Sequence, residues 1–201
     1  MSRKDLPSHL NLRLKEQTNY STIAARIIAR DPSAWFDTIT LDKGRLAGIE
    51  NNMPVVAPSG IIGRIVSTGP ISSQVMLITD ERSGAGAVVG QLGASHAFGS
   101  IKGLGENGLL DMRYVSSLEK VEIGETVTTT GQDGIYPAGF IVGKIIEVKP
   151  GTAAETQVIR IKPAASIDRL EEVAVLLYRP PQRPESDQSL PNVEKKVSSK
   201  Q

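Results

Sequence analysis

The sequence predicts an all-β protein made of two small six-stranded β-barrels, preceded by a short helical or disordered stub. Three observations predict it. The first is a repeated pattern. Pro58-Ser59-Gly60-Ile61-Ile62-Gly63-Arg64-Ile65-Val66 reads turn, glycine, apolar residues, Gly-Arg, then β-branched residues. Gly131-Gln132-Asp133-Gly134-Ile135-Tyr136-Pro137-Ala138-Gly139-Phe140-Ile141-Val142-Gly143-Lys144-Ile145-Ile146 follows the same plan with Gly-Lys. Each copy also has a similar lead-in, Gly48-Ile49 to Met53-Pro54-Val55-Val56 in one and Val121-Glu122-Ile123-Gly124 to Thr126-Val127 in the other. Self-similarity on this scale indicates one structural unit used twice. The second observation is composition: 19 Gly and 12 Pro among 201 residues, with Val, Ile and Thr in short runs. That mixture favours short strands joined by turns. The third is the 4% aromatic content. The core must be mostly aliphatic, which suits small barrels filled by interior side chains.

The elements follow in order. The head, 1–20, is polar with Leu6, Leu10 and Leu14 at spacing four, while Leu10, Leu12 and Leu14 alternate. If helical, it offers only a narrow apolar stripe that needs a partner. Twelve strands are predicted after it: 21–30, 35–42, 54–57, 61–68, 74–79, 86–89, 97–102, 109–115, 125–130, 140–148, 156–162 and 172–177. Asp31-Pro32-Ser33, Lys43-Gly44 and Pro58-Ser59-Gly60 break or turn the chain between them. Four strands precede residue 73, six lie between, and two follow residue 151. The expected domains are therefore 21–73 plus 151–178 as a first barrel and 74–150 as a second barrel inserted into it. The segment 179–201 carries Pro180-Pro181, Pro184, Pro191, serines and mixed charge. It has no hydrophobic period and reads as a disordered tail.

Several function classes lose their support. A net charge of +1 supplies no overall field for nucleic acid or membrane. The basic excess near the start (Arg3, Lys4, Arg13, Lys15, Arg26, Arg30) reads as a solvated linker. With no cysteine, disulfides, thiolate metal sites and thiol nucleophiles are excluded. No apolar run reaches the roughly 18 residues that span a bilayer, and no signal peptide is visible. Gly103-Leu104-Gly105-Glu106-Asn107-Gly108 spells G-x-G-x-x-G, but a strand, not a helix, is expected after it. A dinucleotide loop needs the helix, so a hairpin connection is the better reading. His9 and His96 are the two histidines, and no serine stands in Gly-x-Ser-x-Gly context, so a serine-hydrolase triad has no visible base. The acidic pairs reduce to local ion pairs, as in Asp80-Glu81 beside Arg82. No catalytic, cofactor-binding or metal-binding residue is assigned.

At this point the residues resemble a family. From Ala24 to Leu177 the chain is similar to the extracytoplasmic region of the rod shape-determining MreC family. The matching pieces are Ala25-Arg26-Ile27-Ile28, Asp31-Pro32-Ser33-Ala34-Trp35-Phe36, Ile39-Thr40-Leu41-Asp42-Lys43-Gly44 and Gly48-Ile49. They continue through Met53-Pro54-Val55-Val56, Gly60-Ile61-Ile62-Gly63-Arg64-Ile65, Leu77-Ile78-Thr79-Asp80, the 131–139 motif and Asp168-Arg169-Leu170-Glu171-Glu172-Val173. The resemblance implies a bitopic protein on the periplasmic face of the inner membrane. Its membrane helix and most of its coiled coil would be missing here, with Lys15-Glu16-Gln17-Thr18 as the end of that coil. It implies a non-enzymatic scaffold of the cell-elongation machinery that maintains rod shape. The implied partners are a class B penicillin-binding transpeptidase, MreD, MreB and RodA, together with self-association as a dimer or higher assembly. The alternatives are a double-barrel hydrolase and a periplasmic adaptor of a transport complex, and the adaptor lacks its long heptads.

Partner contacts are expected on loops, including 131–139 and 79–84. The candidate contact residues are Tyr136, Phe140, Tyr114, Asp80 and Arg82, the aromatics because such side chains carry binding energy. Phe140 also reads as plain core. Gly60, Gly63, Gly139 and Gly143 read as structural.

Overall fold

The computed structural model describes residues 20–30, 37–95, 97–105, 108–151, 156–166 and 170–179. The expectations for the stub and the tail lie outside these residues apart from Tyr20 and Arg179, as do Trp35, His9 and His96. The described chain forms twelve strands, β1 (Thr22–Arg30), β2 (Thr38–Leu41), β3 (Pro54–Ala57), β4 (Gly60–Thr68), β5 (Ser73–Leu77), β6 (Gly84–Val89), β7 (Phe98–Gly103), β8 (Leu110–Val115), β9 (Thr126–Thr129), β10 (Ile141–Lys149), β11 (Gln157–Pro163) and β12 (Glu172–Leu176). A 3-10 turn, Arg45–Ala47, follows β2. Each predicted strand has its counterpart, with ends shifted by a few residues.

The strands close into two antiparallel barrels, β1-β12-β3-β4-β5-β2 and β10-β11-β8-β7-β6-β9. The second is continuous in sequence and sits between β5 and β12. Starting the first ring at β12 and the second at β6 gives the same spatial order. The two barrels are thus one topology related by a circular permutation, with β4 and β10 in equivalent places. That is what the repeated glycine motif encodes.

Two strands differ from the sequence-based assignment. The 74–79 strand was expected in the second barrel and the 156–162 strand in the first. The structure pairs β5 with β4 and β2, and β11 with β10 and β8. The reason is local. Gly69 and Pro70 turn β4 into β5, so Thr68 faces Ser73, and Lys149 faces Val158 across the turn after β10. Strands adjacent in sequence tend to be neighbours in space. A boundary at residue 73 or 151 cuts a hairpin in two.

The first barrel is filled by Ile39, Leu41, Ile49, Val55, Ile62, Ile65, Val75, Val173 and Val175, all buried. On β3, β4 and β12 the alternate residues Val56, Ile61, Ala174 and Leu176 point outward, yet they are also buried. They belong to the cluster that fills the second barrel through Val127, Val142, Ile145, Ile159 and Ile161. The β3-β4-β12 wall is therefore apolar on both faces, as a strand buried on both sides must be. Val56, Ile61 and Leu176 each contribute about 1.5–3 kcal/mol by leaving water, and with Ala174 they fasten one barrel to the other.

Candidate interaction surfaces

The linker from β5 to β6 carries the first candidates. Leu77 N–H donates to Asp37 O, and Ser83 N–H donates to Asp80 O (2.8 Å). Asp80 accepts from Arg82 N–H (2.8 Å), Arg82 Nε (2.9 Å), Arg82 Nη2 (2.8 Å) and Asp37 N–H (3.1 Å). Asp37 in turn accepts from the Thr79 hydroxyl at 2.8 Å. Burial works to raise the Asp80 carboxyl, but the Arg82 hydrogen bonds and charge outweigh it and hold the group below the ordinary carboxylate value. Asp80 is buried, and its lone pairs are spent on Arg82 and on the Asp37 amide. As a contact for a partner it is withdrawn, since a carboxylate so enclosed has no face to offer. Arg82 is half exposed and its guanidinium is the outer half of a bidentate pair.

The second group is the 131–139 loop. Asp133 organises it. Its carboxylate accepts from Ile135 N–H (2.8 Å), Tyr136 N–H (2.9 Å) and, across to β6, Gly86 N–H (3.0 Å). This turn folds Tyr136 inward. Tyr136 is fully buried in the cluster shared by the two barrels, and burial pushes its phenol well above the ordinary value. Its hydroxyl and Ser83 Oγ are both buried with no hydrogen-bond partner, although Ser83 lies near enough to oppose that rise. The expectation that Tyr136 is a partner contact is therefore corrected. It is the largest fully buried side chain of the molecule's described part. Asp133 lies inside the 131–139 motif without being among the five expected contact residues; an aspartate two and three residues before the amides it caps is the signal that marks such a turn.

Phe140 is partly buried against the shared cluster, in keeping with a core role. Its ring centroid lies 6.5 Å from Tyr20, which meets Tyr178 edge-on at 5.4 Å. These three rings gather where the chain enters β1 and leaves β12. Tyr114 stands apart. It is 74% exposed and has a left-handed backbone, φ +67°. It sits where β8 carries one more residue than β11 between Gln157↔Val115 and Ile159↔Met112, a bulge that re-aims the side chain. The five candidates are thus not brought into one patch.

A cleft of about 440 Å³ opens beside the linker, lined by residues of both barrels including Asp37, Thr79, Leu109 and Lys162. Among the described residues no cluster of three or more His, Asp or Glu could hold a metal, and no helix is long and apolar enough to cross a membrane.

Fold and side chains together define a class, a rigid two-barrel protein whose polar networks fix turns and linkers. Known proteins narrow it. The family described as "Rod shape-determining protein MreC, barrel core" matches residues 27–177. The cell shape-determining protein MreC of Listeria monocytogenes is 34% identical over 176 residues, which is 86% of this chain and 59% of that protein. A solved structure of Listeria MreC superposes with a TM-score of 0.74 at 33% identity, over 88% of each chain. A structure of a complex between the penicillin-binding protein PBP2 and MreC from Helicobacter pylori matches at 18% identity with a TM-score of 0.60, which is a likeness of fold alone. The chain belongs to the MreC family of rod shape-determining proteins. It spans between 42% and 62% of the length of the curated relatives it matches.

Proposed function

We propose that this chain is the barrel region of a non-enzymatic scaffold for lateral cell-wall synthesis, standing on the periplasmic face of the inner membrane. It binds the elongation transpeptidase, a class B penicillin-binding protein, and it self-associates. The further partners in this reading are MreD, MreB and RodA. Family membership over 27–177 is the observation that carries it. The named complex of Helicobacter pylori MreC with PBP2 supports the transpeptidase as partner.

The physics suits the role. Closed barrels leave few unpaired strand edges, so recognition falls to loops held by a stiff frame. The buried wall between the barrels keeps those loops in one relation to each other. Tyr114, Phe140 and Arg82 stay as candidate contacts, with Tyr114 the most accessible.

The test is capture of the cognate transpeptidase by the purified chain, with a catalytically dead transpeptidase as a second bait. Capture by both is expected, because no chemistry is involved. Failure to capture either one at concentrations near 10 µM, where interactions of about 7 kcal/mol register, removes the transpeptidase from the proposal.

A further inference from the structure

The outer wall of the second barrel is unevenly charged. Along β7, β8, β11 and β10, Ile101, Met112, Ile159, Ile161 and Ile145 fill the barrel, so the residues beside them in each strand face out. Lys102 stands opposite Asp111, Asp111 opposite Arg160, and Arg160 opposite Glu147. One step to one side, Lys144 stands opposite Lys162; one step to the other, Arg113 stands opposite Ser100. Cations therefore crowd a surface four strands wide, about 14 Å at the usual strand spacing. The whole-chain charge of +1 hides this, because Glu119, Glu122 and Glu125 gather in the segment after β8.

Three details set this wall apart from an ordinary solvated face. The buried Asp111 carboxylate accepts a hydrogen bond from Arg160 Nε at 3.1 Å and lies 3.6 Å from Arg113 Nη2. One hidden anion thus holds two guanidiniums in place, and no described residue takes a hydrogen bond from the terminal nitrogens of Arg160. A guanidinium fixed in this way loses little freedom when it meets phosphate oxygens. Next, Lys144 and Lys162 are both exposed and face each other with no ion-pair partner among the described residues; Glu147 pairs with Lys149 at 3.8 Å. Like charges directly opposite destabilise a sheet, and an anion from outside relieves them. Finally, β10 bulges between Ile145 and Glu147, and the bulged Ile146 is 41% exposed among these cations. A soluble polyanion gains nothing from an aliphatic side chain there. A bilayer offers phosphates to the cations and a headgroup layer to the isoleucine. The outside of a closed barrel also suits an extended surface better than a small ligand.

We propose that this wall lies against a bilayer bearing anionic phospholipids. Lys102, Lys144, Lys162 and the arginines held by Asp111 meet headgroup phosphates, and Ile146 enters the headgroup layer. It is a contact of the barrel itself, independent of the transpeptidase reading.

The experiment is co-sedimentation of the full chain with vesicles of phosphatidylcholine containing about 30% phosphatidylglycerol, an anionic surface of the kind that attracts clustered cations, and with vesicles of phosphatidylcholine alone. Anionic vesicles retain the wild type and neutral ones do not. Lys144→Glu combined with Lys162→Glu weakens binding at least tenfold. Both lysines are exposed, so the variant folds, which thermal unfolding checks; Lys144→Gln with Lys162→Gln reads the same face if it does not. Lys43→Glu with Arg45→Glu changes the net charge equally on the first barrel. It leaves binding within about threefold at 0.1 M salt, where charges beyond about 10 Å are screened. Ile146→Ser weakens vesicle binding about threefold, through the apolar area left in water. Binding to neither vesicle, or equally to both, overturns the proposal. So does a Lys144/Lys162 variant that binds like wild type, or a Lys43/Arg45 variant that loses as much. An Ile146→Ser variant with undiminished binding overturns the bilayer as occupant. Sodium polyphosphate separates a polymer from a surface: a chain that binds it and neither vesicle takes soluble polyanions, and the bilayer contact falls.

Discussion

Gly60 of the first barrel lies against the backbone carbonyl of Ile141 in the second, so closely that a Cβ on Gly60 would overlap the oxygen. Gly60 opens one copy of the repeated motif and Ile141 belongs to the other. The two halves of the repeat therefore touch at the barrel junction. Gly60 also has φ +153°, which side-chain-bearing residues rarely adopt. Gly60→Ala is expected to cost about 2–4 kcal/mol, combining backbone strain with overpacking against an immovable carbonyl. Gly93→Ala is the comparison: φ is +87° but nothing lies near its Cβ position, so the cost should stay near 1 kcal/mol. Urea unfolding of both variants measures the difference, and equal losses would mean that the close approach is unimportant.

The buried Tyr136 hydroxyl has no well-formed hydrogen bond among the described residues, its polar neighbour being the equally buried Ser83 Oγ. Tyr136→Phe removes the polar atom and keeps the ring. Its stability should equal or exceed wild type by up to about 1 kcal/mol, since a desolvated, unpaired hydroxyl costs about that much or more. Tyr136→Ala should lose about 3–5 kcal/mol through the cavity between the barrels. A marked loss in Tyr136→Phe would show that the hydroxyl is bonded after all.

Much of the fold was legible because strand formation is a short-range matter. Alternation on 38–41, the valines of 54–57 and the Gly-Arg and Gly-Lys strands all declare themselves within a few residues. Which strand joins which barrel is a longer-range property. It turned on reading Gly69-Pro70 as a hairpin turn that commits β5 to β4. The contact residues were less legible. Tyr136 and Tyr114 are both tyrosines near turns, and nothing local in the sequence tells them apart. Three amide hydrogen bonds to Asp133 turn the first inward, and a bulge against β11 turns the second outward. Both effects depend on partners in other strands. The Asp80–Arg82 ion pair was foreseeable, because the residues are two apart; that it closes the inter-barrel linker was not.

That ion pair gives the protein an acid-sensitive joint. The folded Asp80 pKa is lowered from 3.8, so the stabilisation is complete above the unfolded value and fades as pH drops through the folded one. Unfolding midpoints should therefore fall as pH goes below about 4. Asp80→Asn should be less stable than wild type at pH 7, and the gap should narrow below that point because the wild type loses the same charge. A gap that stays constant from pH 7 to about pH 2.5 would sink this assignment.

Asp133→Ala tests the turn that buries Tyr136. Three backbone amides lose a charged acceptor, and Gly86 loses its tie to the 131–139 loop. A loss of about 2–4 kcal/mol is expected, with faster amide exchange at Ile135 and Tyr136 than in the barrel strands. Unchanged exchange at those two amides would show that the loop is held by something other than the carboxylate.

Tyr114 couples strain to exposure, and the two can be measured separately. A tyrosine at φ +67° costs roughly 1 kcal/mol that glycine would not, while its exposed ring gains little from packing. Tyr114→Gly should therefore leave stability unchanged or raised by about 0.5 kcal/mol, the relief being offset in part by the freer unfolded chain. A strained residue that contributes no stability needs another reason to be there, and a ring held outward by a bulge is suited to meet a partner. If Tyr114 is that contact, Tyr114→Gly weakens transpeptidase capture at least tenfold, about 1.4 kcal/mol, with the fold intact, and Tyr114→Phe retains most of it. Undiminished capture by Tyr114→Gly removes the residue from the interface and leaves its strain without a functional explanation.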